Sequence, residues 1–229
     1  MQDFNTEIYD LTFTDRVSLF LDTLHTRYML PGQDDWTRLQ AGGTLTDDLL
    51  VLDGLRLQSP RSLLTGIGTL RLPSDEDDVI DDIDFRLEAR PIAFEDLRLF
   101  APTLNPDATA TLDVRVTGTS ALAQVTAEGT LGDGARVDVE GHLSPTTGGP
   151  LAYALGGEIR QFDPSYLTQP DGGTTLLNAD FDLDLQGTNL DSLDGTAGVV
   201  LFDSRIGDVF VDRTSLDAAF EDGLARIDG

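Results

Sequence analysis

A strict two-residue alternation of apolar and polar side chains sets the strongest limit on how this chain can fold. Leu112, Val114 and Val116 alternate with an aspartate, an arginine and a threonine. Successive side chains of a β-strand point to opposite faces of a sheet. The pattern therefore predicts a half-buried strand with one apolar side and one polar side.

The same alternation recurs along the chain and is interrupted by glycine-rich turns, which are typical of the connections between short strands. Further strands carry the alternation at the apolar positions Phe181, Leu183, Leu185, Val137, Val139, Val199 and Leu201. We therefore predict a mainly β fold, in which repeated antiparallel strands form an elongated, curled sheet with short helices between repeat units.

A few segments depart from simple alternation. Residues 17–28 place apolar side chains at near-helical spacing after the first predicted strand, which predicts an amphipathic helix of about 14 residues. Segments 94–100 and 162–167 predict short helical turns. Residues 49–57 predict either one strand or two short strands that break at Asp53-Gly54, a pair typical of a hairpin turn.

An internal repeat underlies these patterns. The segment LDVRVTGT that begins at Leu112 aligns with FDLDLQGT beginning at Phe181, an offset of 69 residues (181 − 112). Because a unit that cannot bury its own apolar face needs neighbours, recurrence at a fixed period favours stacked units over one sandwich with similar strands. We predict an N-terminal strand and amphipathic helix (1–36), then repeat units at 37–92, 93–160 and 161–229, the last one incomplete.

The charge excludes some classes of partner. The formal net charge is −26, every basic residue is arginine, and 33 of the 41 acidic residues are aspartate. Nucleic-acid binding through a basic face and adhesion to an anionic bilayer both need cationic surfaces that this composition does not supply. Abundant aspartate without lysine predicts a protein from a salt-loving organism, where salt screens the self-repulsion.

Catalytic and metal-binding patterns are not evident. Neither His25 nor His142 has the serine or acid context of a hydrolase triad, and cysteine is absent. The acidic run 75–82 does not have the ligand spacing of an EF-hand, so a charged loop is favoured. Asp182 and Asp184 share a strand face as a glycosidase pair would, but any half-solvated strand shows the same pattern. We expect no enzymatic activity, no metal and no cofactor.

No stretch approaches the roughly 20 apolar residues of a membrane helix, and the opening Met1-Gln2-Asp3 is unlike a secretory signal. We expect any membrane anchor of the parent protein to lie outside this sequence.

Spaced aliphatic, Gly, Asp and Thr residues give the repeat a recurring texture, as in FEDLRLFAP (94–102), ATLDVRVTGT (110–119) and VTAEGTL (125–131). This texture resembles the AsmA-like and TamB-like envelope proteins. The resemblance implies a periplasmic protein anchored in the inner membrane, with a hydrophobic β-groove that conducts lipid or assists outer-membrane assembly. Its implied partners are lipid acyl chains and outer-membrane assembly proteins. On this hypothesis the groove is lined by Leu112, Val114, Val116, Val137, Val139, Phe181, Leu183, Leu185, Val199 and Leu201.

Two other functions stay open on the sequence. The first is a structural or adhesive surface protein whose β-domains have closed cores and bind no ligand. The second is a carbohydrate-active β-helix enzyme, which the single tryptophan makes less favourable. Whether the apolar faces close on each other distinguishes the first alternative from a groove.

Overall fold

Within each of the two units of the chain, consecutive strands pair antiparallel. The computed structural model describes residues 5–13, 18–29, 36–46, 48–72, 82–98, 101–132, 134–145, 151–167, 175–187, 193–221 and 224–229, with side chains from Thr37 onward. The chain divides into an N-terminal unit, residues 1–119, and a C-terminal unit, residues 120–229. Each unit is described by itself.

The N-terminal unit contains seven described strands and one short helix. Its elements are β1 (Asn5–Phe13), β2 (Ser18–Met29), β3 (Trp36–Thr46), β4 (Leu49–Gln58), β5 (Leu63–Arg71), β6 (Ile83–Ala93), α1 (Phe94–Leu97) and β7 (Thr109–Gly118).

The C-terminal unit contains seven further described strands and a 3₁₀ helix. Its elements are β8 (Ala123–Leu131), β9 (Ala135–Pro145), β10 (Leu151–Phe162), the 3₁₀ helix (Pro164–Tyr166), β11 (Thr175–Gln186), β12 (Asp194–Ile206), β13 (Val209–Glu221) and β14 (Leu224–Asp228). Within the described part of each unit, strand order follows chain order and the first strand does not pair with the last, so each sheet is open. The mainly β, antiparallel fold class is confirmed.

The predicted amphipathic helix in residues 17–28 is wrong, because this segment lies in strand β2. The backbone of β2 registers Leu19 opposite Leu45, and Leu24 opposite Ala41, with a register shift between Leu21 and Leu24. Because of the extra residue in that bulge, Leu21 and Leu24 lie three residues apart although their partners in β3 are two apart. A spacing of three residues is also typical of one face of a helix. Residues 5–13 and 18–29 therefore belong to the sheet of the N-terminal unit.

Of the two interpretations of residues 49–57, the single strand is confirmed by β4 and the turn at Asp53-Gly54 is wrong. Both residues lie inside β4, where the pairing to β5 shifts between Leu52 and Leu55. One extra residue is accommodated as a bulge, which bends the strand and does not end it. The two short helices were predicted correctly, since α1 and the 3₁₀ helix fall inside segments 94–100 and 162–167.

The internal repeat has a structural counterpart. Leu87 lies opposite Val114 in the pair β6/β7, and Leu155 lies opposite Leu183 in the pair β10/β11, at offsets of 68 and 69 residues (155 − 87 and 183 − 114). A short helix separates the strands in each case. The equivalent strands end at Gly118 and Gly187, whose φ values of 118° and 124° favour glycine. The boundaries of the repeat units at 92/93 and 160/161 stay a prediction.

Two strands of the C-terminal unit, β10 and β12, bulge on either side of β11, and side chains near these bulges tie the three strands together. The Asn178 side chain of β11 accepts a hydrogen bond from the Gln161 N–H (2.9 Å) and donates one to the Asp203 carbonyl oxygen (2.8 Å). Both Gln161 and Asp203 have positive φ, at 55° and 41°. The fully buried Ser204 hydroxyl accepts from the Asn178 N–H at 2.9 Å. These bonds satisfy backbone groups that the bulges take out of the ladder.

Large apolar side chains fold over glycines on the adjacent strand. Gly157 of β10 lies opposite Phe181, and Gly66 and Gly68 of β5 lie opposite Leu87 and Phe85. A Cβ atom built on Gly157 would lie 2.7 Å from the Phe181 ring and would also meet the Asp138 carbonyl oxygen. These glycines therefore leave the space that the larger side chains occupy.

We expect Gly157→Ala to lower the free energy of unfolding by about 1–3 kcal/mol, because the new methyl group overpacks a filled site. The matched control is Gly156→Ala, on the opposite face, where a Cβ would meet nothing nearer than 3.7 Å. The control should change the free energy by less than about 0.5 kcal/mol. Urea unfolding in molar salt measures both, and equal effects would contradict the packing of Phe181 over Gly157.

Candidate functional site

One face of the C-terminal sheet carries no charged side chain across its central rows. Directly opposed residues of antiparallel strands share a face, so the register defines rows that cross the sheet. The rows that contain Phe181, Leu183 and Leu185 are Ala127–Val139–Gly157–Phe181–Val199–Leu216, Val125–Gly141–Leu155–Leu183–Ala197–Ala218–Ile227 and Ala123–Leu143–Tyr153–Leu185–Gly195–Phe220–Ala225. A fourth row joins Val137 and Leu201 through Ile159 and Ala179. We call this surface the C-terminal apolar face.

The N-terminal unit has an equivalent surface. Leu112, Val114 and Val116 of β7 lie opposite Ala89, Leu87 and Phe85 of β6. Their rows continue to β3 as Leu39–Leu57–Leu64–Ala89–Leu112, Ala41–Leu55–Gly66–Leu87–Val114 and Gly43–Leu52–Gly68–Phe85–Val116. We call this surface the N-terminal apolar face.

The ten residues named from the sequence divide between these two faces. Seven lie on the C-terminal apolar face, where Val139, Phe181 and Val199 share one row. The other three lie on the N-terminal apolar face. The structure therefore places each set on one side of its own sheet, as alternation requires.

The sequence predicts a strand at residues 151–160, and β10 confirms it. The predicted site residues nevertheless omit Tyr153, Leu155 and Ile159, which β10 supplies to the C-terminal apolar face between β9 and β11. The opposite face of β10 carries Ala152, Ala154 and Gly156 before the charged residues begin, so residues 151–157 form a nearly continuous apolar run. Such a run hides the phase that alternation would reveal.

The apolar faces lack the full burial of a sandwich core. Of the ten named residues, Leu185 is 7% exposed, Leu112 is 37% exposed and the other eight are half-buried. The buried apolar side chains of the described residues are mostly alanines. Two packed sheets would instead bury the large side chains of their facing surfaces. Within each described unit, no second layer seals the apolar face.

The opposite face is charged and strongly acidic in the C-terminal unit. Glu128, Asp138, Glu158 and Asp180 lie directly opposite one another along a single cross-strand row. Arg160 is ion-paired with both Glu158 and Asp180, the latter at 2.8 Å. Like charges that lie opposite each other on adjacent strands repel and destabilise the sheet. The repulsion within this row therefore lowers the stability of the folded protein.

In the N-terminal unit the polar face carries balanced pairs. Arg86 bonds Asp113 at 2.9 Å and Arg115 bonds Asp84 at 3.2 Å. The hydrogen bond from Arg86 to Asp113 raises the pKa of the guanidinium further above its usual range. These exposed pairs contribute little to stability individually, and they keep the polar face hydrated.

The residues considered for chemistry are not brought together into a catalytic site. His142 is exposed on the polar face, opposite Gln124 and Ala154. Asp182 and Asp184 are exposed there too, opposite Gly156 and Ala154. The His25 side chain and the acidic segment 75–81 lie outside the described residues.

Metal-binding and membrane-spanning geometry were also sought in the described residues. No group of three or more acidic or histidine side chains in that part of the chain is arranged to hold a metal ion. Among the same residues, no helix has the length and hydropathy to cross a bilayer.

We expect Asp138→Asn to stabilise the protein by about 0.2–1 kcal/mol at low salt, because it removes the central member of the opposed acidic row. The gain should vanish at molar salt, where the charges are already screened. The wild-type midpoint of thermal unfolding should itself rise between the two conditions. Asp208→Asn, in the β12–β13 turn, removes one charge without an opposed strand partner and serves as control. A wild-type midpoint that does not change with salt would contradict this account.

No protein-family model matches the chain, and comparisons with curated proteins and with solved structures give no match.

Proposed function

We propose that the apolar faces hold lipid acyl chains, and that the chain belongs to a cell-envelope protein that transports phospholipid or assists outer-membrane assembly. The observation that carries the proposal is a sheet surface of uncharged rows that stays partly open to solvent within each described unit. A contiguous apolar surface of this kind is uncommon on a soluble protein unless it binds something.

The chemistry of the surface fits hydrocarbon. The central rows offer Leu, Val, Phe and Ala side chains and no charge that would orient a polar ligand. Each methylene group removed from water contributes about 0.8 kcal/mol before ordering costs. Binding would therefore depend on length of contact, and no single side chain would dominate.

The acidic polar face suits the same role, because it keeps the opposite side of the sheet in water while the apolar side is occupied. The resemblance of the repeat texture to AsmA-like and TamB-like proteins supports a periplasmic location, with an inner-membrane anchor outside this sequence. Outer-membrane assembly proteins are the proposed protein partners. The abundance of aspartate and the absence of lysine support a saline environment.

A structural or adhesive protein with closed cores would need each apolar face to be sealed. The half-burial of Val114, Phe181 and Leu183 favours the lipid proposal over this alternative.

A photo-crosslinking residue at Leu183 should capture phospholipid from vesicles, because this position lies on the C-terminal apolar face. The same residue at Asp182, its neighbour on the polar face, should not. Mass spectrometry of the purified adduct provides the measurement. Equal capture of phospholipid at the two positions, or no capture at either, would contradict the proposal.

Val114→Arg should reduce lipid capture at the N-terminal apolar face with little change in the midpoint of thermal unfolding, since the position is only half-buried. The matched control is Thr117→Arg, which adds the same charge to the polar face of the same strand and should leave capture unchanged. If Val114→Arg instead unfolds the protein, the face is a closed core and the structural alternative is the better interpretation.

A further inference from the structure

The two units end their apolar faces differently at equivalent places. In the N-terminal unit the end beside α1 is filled by the protein's own side chains, with Phe94 6% exposed, Ala93 3% and Ala108 0%. The Phe94 N–H donates to the Ala108 carbonyl oxygen at 2.9 Å.

Polar contacts hold α1 in that place. Asp96 accepts hydrogen bonds from the hydroxyls of Ser59 and Ser62, the latter at 2.5 Å. Arg61 and Glu95 form an ion pair beside them. The closed end of the N-terminal unit is therefore fixed by the connection between β4 and β5.

The corresponding end of the C-terminal unit contains a hollow. Phe162 follows Phe94 by 68 residues (162 − 94) and is half-buried. Beside it lies a cavity of about 450 Å³, whose lining includes Leu131, Ala135, Gln161, Phe162, Tyr166 and Leu176. That volume falls within the range of small-molecule sites, about 300–1,000 Å³.

The cavity adjoins the C-terminal apolar face. Leu131 and Ala135 lie directly opposite each other. Each is two residues from Gly129 or Val137 on its own strand, so both lie on the same face as that pair. The Tyr166 ring closes the side next to the β8–β9 turn, since a Cβ at Gly132 would lie 2.6 Å from it. An acyl chain lying along the face would therefore meet this hollow at the end of the strands.

Two polar groups beside the cavity already have hydrogen-bond partners. The Gln161 N–H donates to the Asn178 side chain at 2.9 Å. Asp163 Oδ1 accepts from the Ser165 N–H, also at 2.9 Å. A phosphate headgroup placed here would lie beside the Asp163 carboxylate and apolar side chains, which is unfavourable for an anion.

We propose that this cavity receives the terminal methyl end of an unbranched hydrocarbon chain, with the remainder of that chain on the C-terminal apolar face. The N-terminal unit supplies the precedent, because there an apolar side chain of the protein fills the equivalent end. The inference rests on the proposed lipid-binding function and adds an orientation, with the headgroup directed away from the 3₁₀ helix.

Two photoreactive palmitate probes test this orientation in the full chain at molar salt. One carries a diazirine next to the methyl end and the other carries it next to the carboxylate. The methyl-end probe should label the cavity-lining residues Leu131, Ala135, Phe162, Tyr166 and Leu176. The carboxylate-end probe should label positions elsewhere on the C-terminal apolar face. The same distribution of labels from both probes would overturn the inference, and no labelling of the face by either probe would overturn the proposed function itself.

Filling the cavity provides a second measurement. Leu176→Trp should abolish most of the labelling at the cavity by the methyl-end probe while labelling of the rows around Leu183 persists. The matched control is Leu224→Trp, since Leu224 is an exposed leucine on the polar face, opposite Glu221, and does not line the cavity. Unchanged labelling at the cavity in folded Leu176→Trp would contradict the inference. Should that variant fail to fold, the comparison of the two probes on the wild-type chain decides.

Discussion

Cross-strand pairing between consecutive strands is the constraint on which the other features of each unit depend. Because strands within a unit pair with their chain neighbours, the register alone decides which side chains share a face. A slip of one residue would move Phe181, Leu183 and Leu185 to the hydrated side and bring the intervening aspartates to the apolar side. The register creates one uncharged and one charged face. The presence of these two faces in turn disfavours any slipped register.

Packing on the apolar faces is achieved within a single layer. Where two sheets would interdigitate, these sheets use lateral contacts, with Phe85 and Phe181 lying over glycines of the adjacent strand. Such contacts cover part of each large side chain and leave the rest accessible, which explains why most of the face is half-buried. Bulges bend the strands further, and at one of them Asn178 and Ser204 supply the hydrogen bonds that the ladder loses.

The acidic face and the apolar face impose opposite demands on the surroundings. Opposed carboxylates such as Glu128, Asp138 and Glu158 need screening by ions, whereas the uncharged rows need a hydrocarbon partner or a covering segment. A lipid-binding protein in a saline compartment would meet both demands at once. The contrast between the filled end beside Phe94 and the cavity beside Phe162 would then give an acyl chain bound in this way a direction.

The sequence by itself determined the β class, the two faces of β7 and β11, and the repeat that relates the pair β6/β7 to the pair β10/β11. Period-two alternation is a local property, so it can be recognised in the sequence without knowing which strands pair. Only the tertiary structure showed that residues 18–29 form β2 and that Asp53-Gly54 is a bulge, because a bulge changes the spacing between residues of one face. It also revealed the part played by β10, whose small residues conceal its phase. Above all, whether the apolar faces are covered within a unit depends on contacts between distant residues, and no local pattern records them.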